Sequence, residues 1–352
     1  MFRLLARLVL GLAMSLAVTF AADSAKEKSP GDLAAEAFFK MRDDKDAKLD
    51  GARVIALQKA GLDFLTNYPT HARAGSVVTA LADFGGTIRD KKLQPMRDYW
   101  GSQLNYEIVS RRTKSDASDD VRAIIGSLDA AYAGYVARTA TSRDTLDTYR
   151  DKIDRLADLP GGAKYLPNHE RLYIQTLLMV GPKQAEAQAR RLIEGGDKKL
   201  AAVGQEELNL IELGRTPLDL KATALDGREF DATALRGKVL YFIFWSSTNE
   251  ASVKELAVLQ DFYKPYQKLG VEIVTIAHDT DREALAKFVK SKQYAWPVLC
   301  DGAGNKGDFS MKVNAKNVPM SALFNQQGTL VRTGLKSSQL EPEVIKLGIK
   351  RK

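Results

Sequence analysis

The stretch FIFWSSTNEAS, Phe242–Ser252, decides the fold. Together with the residues just before it, it forms an apolar run from Val239 to Trp245 with no polar alternation, which reads as a strand buried on both faces. Four small polar residues follow, Ser246, Ser247, Thr248 and Asn249, all good helix N-cap types. The next segment, NEASVKELAVLQDFYKPYQKLG, carries apolar residues at helical spacing. The predicted unit is a central strand passing through a tight turn into a helix. Either the four polar residues only cap that helix, or its free amides and their short hydroxyls also hold an anion or a carbonyl.

Working outward, GRTPLDLKATALDGREFDATALRGKVLYFIFW reads as a linker, then a strand pair turned at Asp226-Gly227, then a turn feeding the buried strand. Beyond the helix, VEIVTIAHD reads as a second buried strand, DREALAKFVKSKQ as a helix, and VPMSALFNQQGTLVRTG as two strands joined at Gly328. Strands alternating with helices predict a sheet with helices on both faces. The chain from Ser29 to Leu213 is built differently. Segments from PGDLAAEAFFKM to KQAEAQARRLIEGG carry apolar residues three and four apart, with breaks at Pro30, Tyr68-Pro69-Thr70, Ser118, Pro160-Gly161-Gly162 and Gly181-Pro182. The expected organisation is an all-α bundle or repeat-like domain over 22–213, followed by an α/β domain over 214–352.

The N-terminus, MFRLLARLVLGLAMSLAVTFAADSAKEKSP, has two arginines, an apolar stretch from Leu8 to Phe20 and then small and polar residues. This reads as a secretory signal peptide over 1–21, cut after Ala21, and implies an exported protein, periplasmic or extracellular. No cysteine stands near the cut to take a lipid, and no later segment is apolar enough to span a membrane. Export makes the single cysteine, Cys300, informative: no internal disulfide can form, so packing alone holds the fold. Lys and Arg number 52 against 44 Asp and Glu. Residues 22–213 hold 29 of each sign, whereas residues 214–352 hold 21 basic against 15 acidic. An excess of this size, without interleaved aromatics, is solubility charge and not a nucleic-acid footprint.

The C-terminal segments resemble the thioredoxin fold, and specifically the exported TlpA/ResA-like redoxin family of thiol–disulfide oxidoreductases. The features that match, in order, are LDGREFDATALRGKV before the central strand, the Phe244-Trp245 strand end, the long helix after the turn, YAWPVLCD, and NVPMSALFNQQGTLV. The resemblance implies that Val318-Pro319 is the family's cis-proline beside the reactive turn, where the backbone pairs with an extended peptide. It also implies that Asn249 and Ser252 stand where the family carries Cys-x-x-Cys, here Asn249-Glu250-Ala251-Ser252, with Thr248 at the family's second tryptophan. Dithiol exchange needs a thiolate of lowered pKa and a second, resolving thiol, and neither position supplies one. Glu255 matches an acidic residue common in the family, read here as helix N-terminal electrostatics. In the helical half, LDFLTNYPTHARA resembles the junction of a tetratricopeptide-type repeat, with no persistent period around it.

The expected function is therefore binding of an envelope protein or peptide by a redoxin-like module that lacks the dithiol. The candidate binding residues are Trp245, Ser247, Thr248, Asn249, Val318 and Pro319. The alternative is a thiol–disulfide oxidoreductase or peroxidase using Cys300 or a partner's thiol, or a hydrolase at Ser252; another is that the helical half carries the function. Cys300 reads as a buried small hydrophobe, and the nearest basic residue along the chain is Lys306. His71, His169 and His278 are scattered without ligand spacing, so neither a zinc site nor a cofactor is expected.

Overall fold

The computed structural model describes residues 28–44, 46, 50–87 and 117–350, the side chains of 82–87 excepted, so the predicted signal peptide lies outside the described residues. Contacts group the chain into two compact units that divide between His169 and Glu170. Among the described residues no helix is long and apolar enough to cross a membrane.

The first unit is helical: α1 (Pro30–Asp43), α2 (Gly51–Asn67), α3 (Ala74–Thr87), α4 (Asp119–Thr139), α5 (Arg143–Ala157) and the beginning of α6 (Leu166–Leu178). Side chains close several helix starts. Ser29 accepts from the Asp32 amide and Ser142 from the Thr145 amide, each in a reciprocal box, and Asp50 and Ser118 cap α2 and α4. Phe38, Leu57, Phe64, Val77, Leu81, Val121 and Ile125 form a shared core between successive helices. At the Tyr68-Pro69-Thr70 turn the Tyr68 amide donates to the Phe64 carbonyl, and the His71 ring packs edge-on against Phe64 with Nε2 3.2 Å from Asp32 Oδ1. Gly134 leaves room for the buried Tyr149 ring, since a Cβ there would lie 2.7 Å from it.

His169 is 2% exposed. Its Nε2 lies 2.9 Å from Ser127 Oγ, the Tyr149 hydroxyl donates to its carbonyl, and Nδ1 is buried without a partner. Burial holds its pKa down at about 4. The fold therefore prefers the neutral ring, a preference fully present above the unfolded-state value near 6.5 and lost as pH falls through the folded value.

The second unit adds α7 (Pro182–Glu194) and α8 (Lys198–Arg215), then the strand pair β1 (Lys221–Thr223) and β2 (Glu229–Asp231), turned at Gly227 with φ 84°. The main sheet contains β3 (Val239–Trp245), β4 (Val271–Ala277), β5 (Val298–Leu299), β6 (Met320–Phe324) and β7 (Leu330–Thr333), in the order β5-β4-β3-β6-β7. β3, β4 and β5 run parallel; β6 and β7 are antiparallel, joined by a turn in which Gly328 has φ 79°. The helices between strands are α9 (Glu250–Gln267), α10 (Arg282–Lys292), α11 (Asp308–Lys312) and, at the end, α12 (Leu340–Lys346).

Every residue of β3 is buried. Val239, Tyr241, Ile243 and Trp245 face a core built with α9, α10 and α12. Leu240, Phe242 and Phe244 face a second core containing Leu213, Leu218, Phe230 and Val313, with Phe309 of α11 packed against it. Helices thus cover both faces, as the alternation predicts.

Two measurements test this packing. Denaturant unfolding at several pH values is expected to show a stability loss of up to roughly 3 kcal/mol between pH 6.5 and 4 attributable to His169, and a correspondingly flatter profile in His169→Gln. In the second unit α7 and α8 approach so closely that a Cβ on Gly204 would lie 2.4 Å from the Ala189 carbonyl oxygen. Gly204→Ala is therefore expected to lose about 1–3 kcal/mol through overpacking, read as a lower thermal midpoint.

Candidate functional site

The carboxyl end of β3 brings the predicted residues together. Its antiparallel register with β6 pairs Phe244 with Met320, which sets Trp245 and Pro319 side by side at the edge of the same strand pair. The Val318-Pro319 peptide is cis. Pro319 and Thr248 are exposed, while Val318, Ser246, Ser247 and Asn249 are half-buried. Trp245 is fully buried, packed against Phe288 and Tyr294, so its ring belongs to the core and not to a binding surface.

Asn249 is the N-cap of α9, and its side-chain oxygen accepts from the Ser252 amide at 2.8 Å. Ser252, one turn into the helix, is fully buried with its hydroxyl unpartnered. The turn before the helix is held from outside. Asp279, just after β4, accepts the Ser247 amide at 3.0 and 3.1 Å and also the Ser247 hydroxyl. The Thr248 amide donates to Ser246 Oγ at 3.3 Å and the Asn249 amide to the Ser246 carbonyl at 3.1 Å. The amides of Ser247, Thr248, Asn249 and Ser252 are all occupied within the chain. Of the four polar residues Asn249 caps the helix, whereas Ser246, Ser247 and Thr248 bond within the turn and to Asp279.

The Asp279 contact was not visible in the sequence, although the parallel register of Trp245 with Ala277 carries both chains into neighbouring loops. Glu255 is also more than a helix-end charge: its carboxylate accepts the Ser337 amide at 2.6 Å, tying α9 to the start of the C-terminal segment. Cys300 lies away from the turn residues in sequence but shares Asp279 with them. Its thiol donates to the Asp279 carbonyl at 3.3 Å, and it is 5% exposed. Burial pushes its pKa up, which outweighs the nearby Arg282, whose guanidinium donates to the Cys300 carbonyl. His278 is not free for chemistry either: its Nε2 lies 2.9 Å from buried Ser310 Oγ, and burial lowers its pKa. Among the described residues no cluster of three or more His, Cys, Asp or Glu side chains is placed to hold a metal.

A five-stranded mixed sheet with a buried central strand, an N-capped helix following that strand's carboxyl end and a cis-proline beside the turn defines a thioredoxin-like domain. Residues 213–333 match the AhpC/TSA family, a redoxin domain. The chain is similar to the thiol-disulfide oxidoreductase ResA of Bacillus cereus, 27% identical over 136 residues that cover 38% of this chain and 70% of the relative. ResA of Halalkalibacterium halodurans is 23% identical over 153 residues, covering 43% of this chain and 80% of the relative. Among solved structures, the C-terminal domain of a thiol-disulfide oxidoreductase from Bacteroides thetaiotaomicron superposes with a TM-score of 0.35 at 19% identity, covering 38% of this chain and 94% of that one.

The state of the cysteine gives a direct measurement. Cys300 is expected to react with a chromogenic thiol reagent at least about 100-fold more slowly in the folded protein than in denaturant at pH 7, since both burial and the raised pKa withhold the thiolate. Equal rates in the two states would contradict the buried, hydrogen-bonded thiol.

Proposed function

We propose that this is an exported thioredoxin-fold protein that binds a protein or peptide in the cell envelope and performs no dithiol exchange of its own. On this reading Asn249 and Ser252 occupy the positions of the family's two cysteines. The observation that carries it is the chemistry at the capped turn: an amide side chain caps α9, a buried hydroxyl follows three residues later, and the one thiol of the chain lies buried on another segment. Asn249 has no nucleophile. The Ser252 hydroxyl is buried with no hydrogen-bond partner, so no base stands against it to activate it.

Binding uses what remains accessible. Thr248 and Pro319 are exposed, Val318 and Asn249 partly so, and an extended peptide laid beside Pro319 would pair with backbone while its side chains meet Thr248. The predicted leader supports an envelope location. The alternative, catalysis through Cys300, is disfavoured by a thiol that is buried and held above its ordinary pKa.

The purified mature protein is expected to show no insulin reduction above background. Turnover that disappears in Cys300→Ser would overturn the binding-only reading. The register is tested by Asn249→Cys/Ser252→Cys in a Cys300→Ser background. Residues three apart at a helix start satisfy the roughly 4.4–6.8 Å Cα separation a bridge requires, so this variant is expected to gain two thiols on reduction and to reoxidise reversibly. A folded variant that never bridges would mean that the two positions are not the lost dithiol.

A further inference from the structure

The second unit carries another groove, remote in sequence from the turn, between α6, α8 and the outer edge of β7, with a volume of about 390 Å³. Leu178, Leu210, Ile211 and Leu330 give it an apolar lining. Two of its apolar lining residues are exposed, Leu178 at 36% and Val331 on β7 at 43%, and Met179 and Val180, which follow Leu178 in the chain, are 61% and 54% exposed. Such a concentration of exposed apolar groups marks an interaction surface more often than a solvated one.

β7 is the last strand of the sheet, and its free edge lines the groove. The Gly334 amide donates to the Ser321 carbonyl, so that pair is a hydrogen-bonded one. The next pair, Ala322 with Thr333, is then of the alternate kind, in which the backbone groups point away from the partner strand. The N–H and C=O of Thr333 therefore face outward, and no described group bonds them. Val331 is the extra residue of the bulge between the Leu323–Arg332 and Phe324–Leu330 pairs.

The accessible charge at the groove is positive. Arg332 meets Glu343 only at 3.4 Å, and that carboxylate lies closer to Lys346, at 2.7 Å. Arg215, on the opposite wall, reaches a single carboxylate, Glu186. The acidic lining residue, Glu207, is 1% exposed and already taken by Arg171 and Gln175, so it shows no charge to the rim.

We infer that this groove binds an extended acidic–apolar segment of a partner protein, which adds to the free edge of β7 through Thr333, seats an apolar side chain against Leu210, Ile211 and Leu330, and sets carboxylates near Arg215 and Arg332. Edge addition supplies main-chain hydrogen bonds, the apolar groove selects alternate side chains, and the two arginines select the sign of the charge. This site is separate from the turn beside Pro319 and does not depend on the reading given there.

The test titrates the full mature chain with a fluorescent octapeptide of alternating glutamate and valine, and with its lysine–valine counterpart, and follows hydrogen exchange in the complex. The acidic peptide is expected to bind saturably and to slow exchange in the segment spanning Leu330–Thr333. Arg215→Glu/Arg332→Glu is expected to weaken it about tenfold or more, and Val331→Lys to weaken it as well, both variants keeping the native circular dichroism spectrum. Equal or tighter binding of the lysine peptide would overturn the inference, as would protection confined to residues 246–252. So would a free protein that is dimeric by sedimentation and becomes monomeric in Val331→Lys, because the edge would then belong to a second copy.

Discussion

The structure of the second unit depends on the two-sided burial of β3. A strand of seven residues, none of them exposed, has to be given an apolar layer on each face, and the alternation of its side chains assigns which residues serve which layer. Tyr241 shows how strict this is. Its ring sits in the α9 side of the core, and its hydroxyl is satisfied by donating to the Leu335 carbonyl, the same acceptor that Ser321 uses. Buried aromatics then extend both layers, as in the edge-to-face contacts of Phe242 with Phe230 and Phe324. Once β3 is fixed, the parallel partner β4 and the antiparallel partner β6 bring their adjoining loops to its carboxyl end.

The chemistry of that end follows from the same geometry. Here Asp279 and the turn's own oxygens accept the amides of Ser247, Thr248 and Asn249, and the Asn249 side chain accepts that of Ser252. Those four amides are therefore engaged within the chain, while Thr248 and Pro319 stay exposed beside them. The single thiol takes part in the same local order from the other side, through the Asp279 carbonyl.

Much of this fold was legible in the sequence because its signals are local. The unbroken run Val239–Trp245, the Asp226-Gly227 and Gly328 turns, and the breaks at Pro30 and Ser118 each declare themselves within a few positions. The change from helical to mixed periodicity separated the two architectures in the same way. What was not legible depends on strand order. Asp279 lies 32 positions from Ser247, and Glu255 lies 82 from Ser337; nothing within either segment indicates the other. Trp245 is the instructive case at the site. Its place at the strand end marks it as near the turn, but a side chain at a strand end can point to either layer, and packing with Phe288 and Tyr294 takes it inward.

The helix α8 has a consequence for how this chain can be divided. It runs to Arg215, two residues past the start of the family match at 213, and its Leu213 belongs to the same buried cluster as Phe230 and Phe242. Two residues beyond its C-cap, the Leu218 amide donates to the Gly328 carbonyl in the β6–β7 turn. The redoxin domain is therefore not a portable module with a clean seam at its family border. A fragment begun at Gly214 would lose a core side chain and most of the helix beside the last strand, so excision, fusion or circular rearrangement has to carry α7 and α8 along as part of the same folding unit.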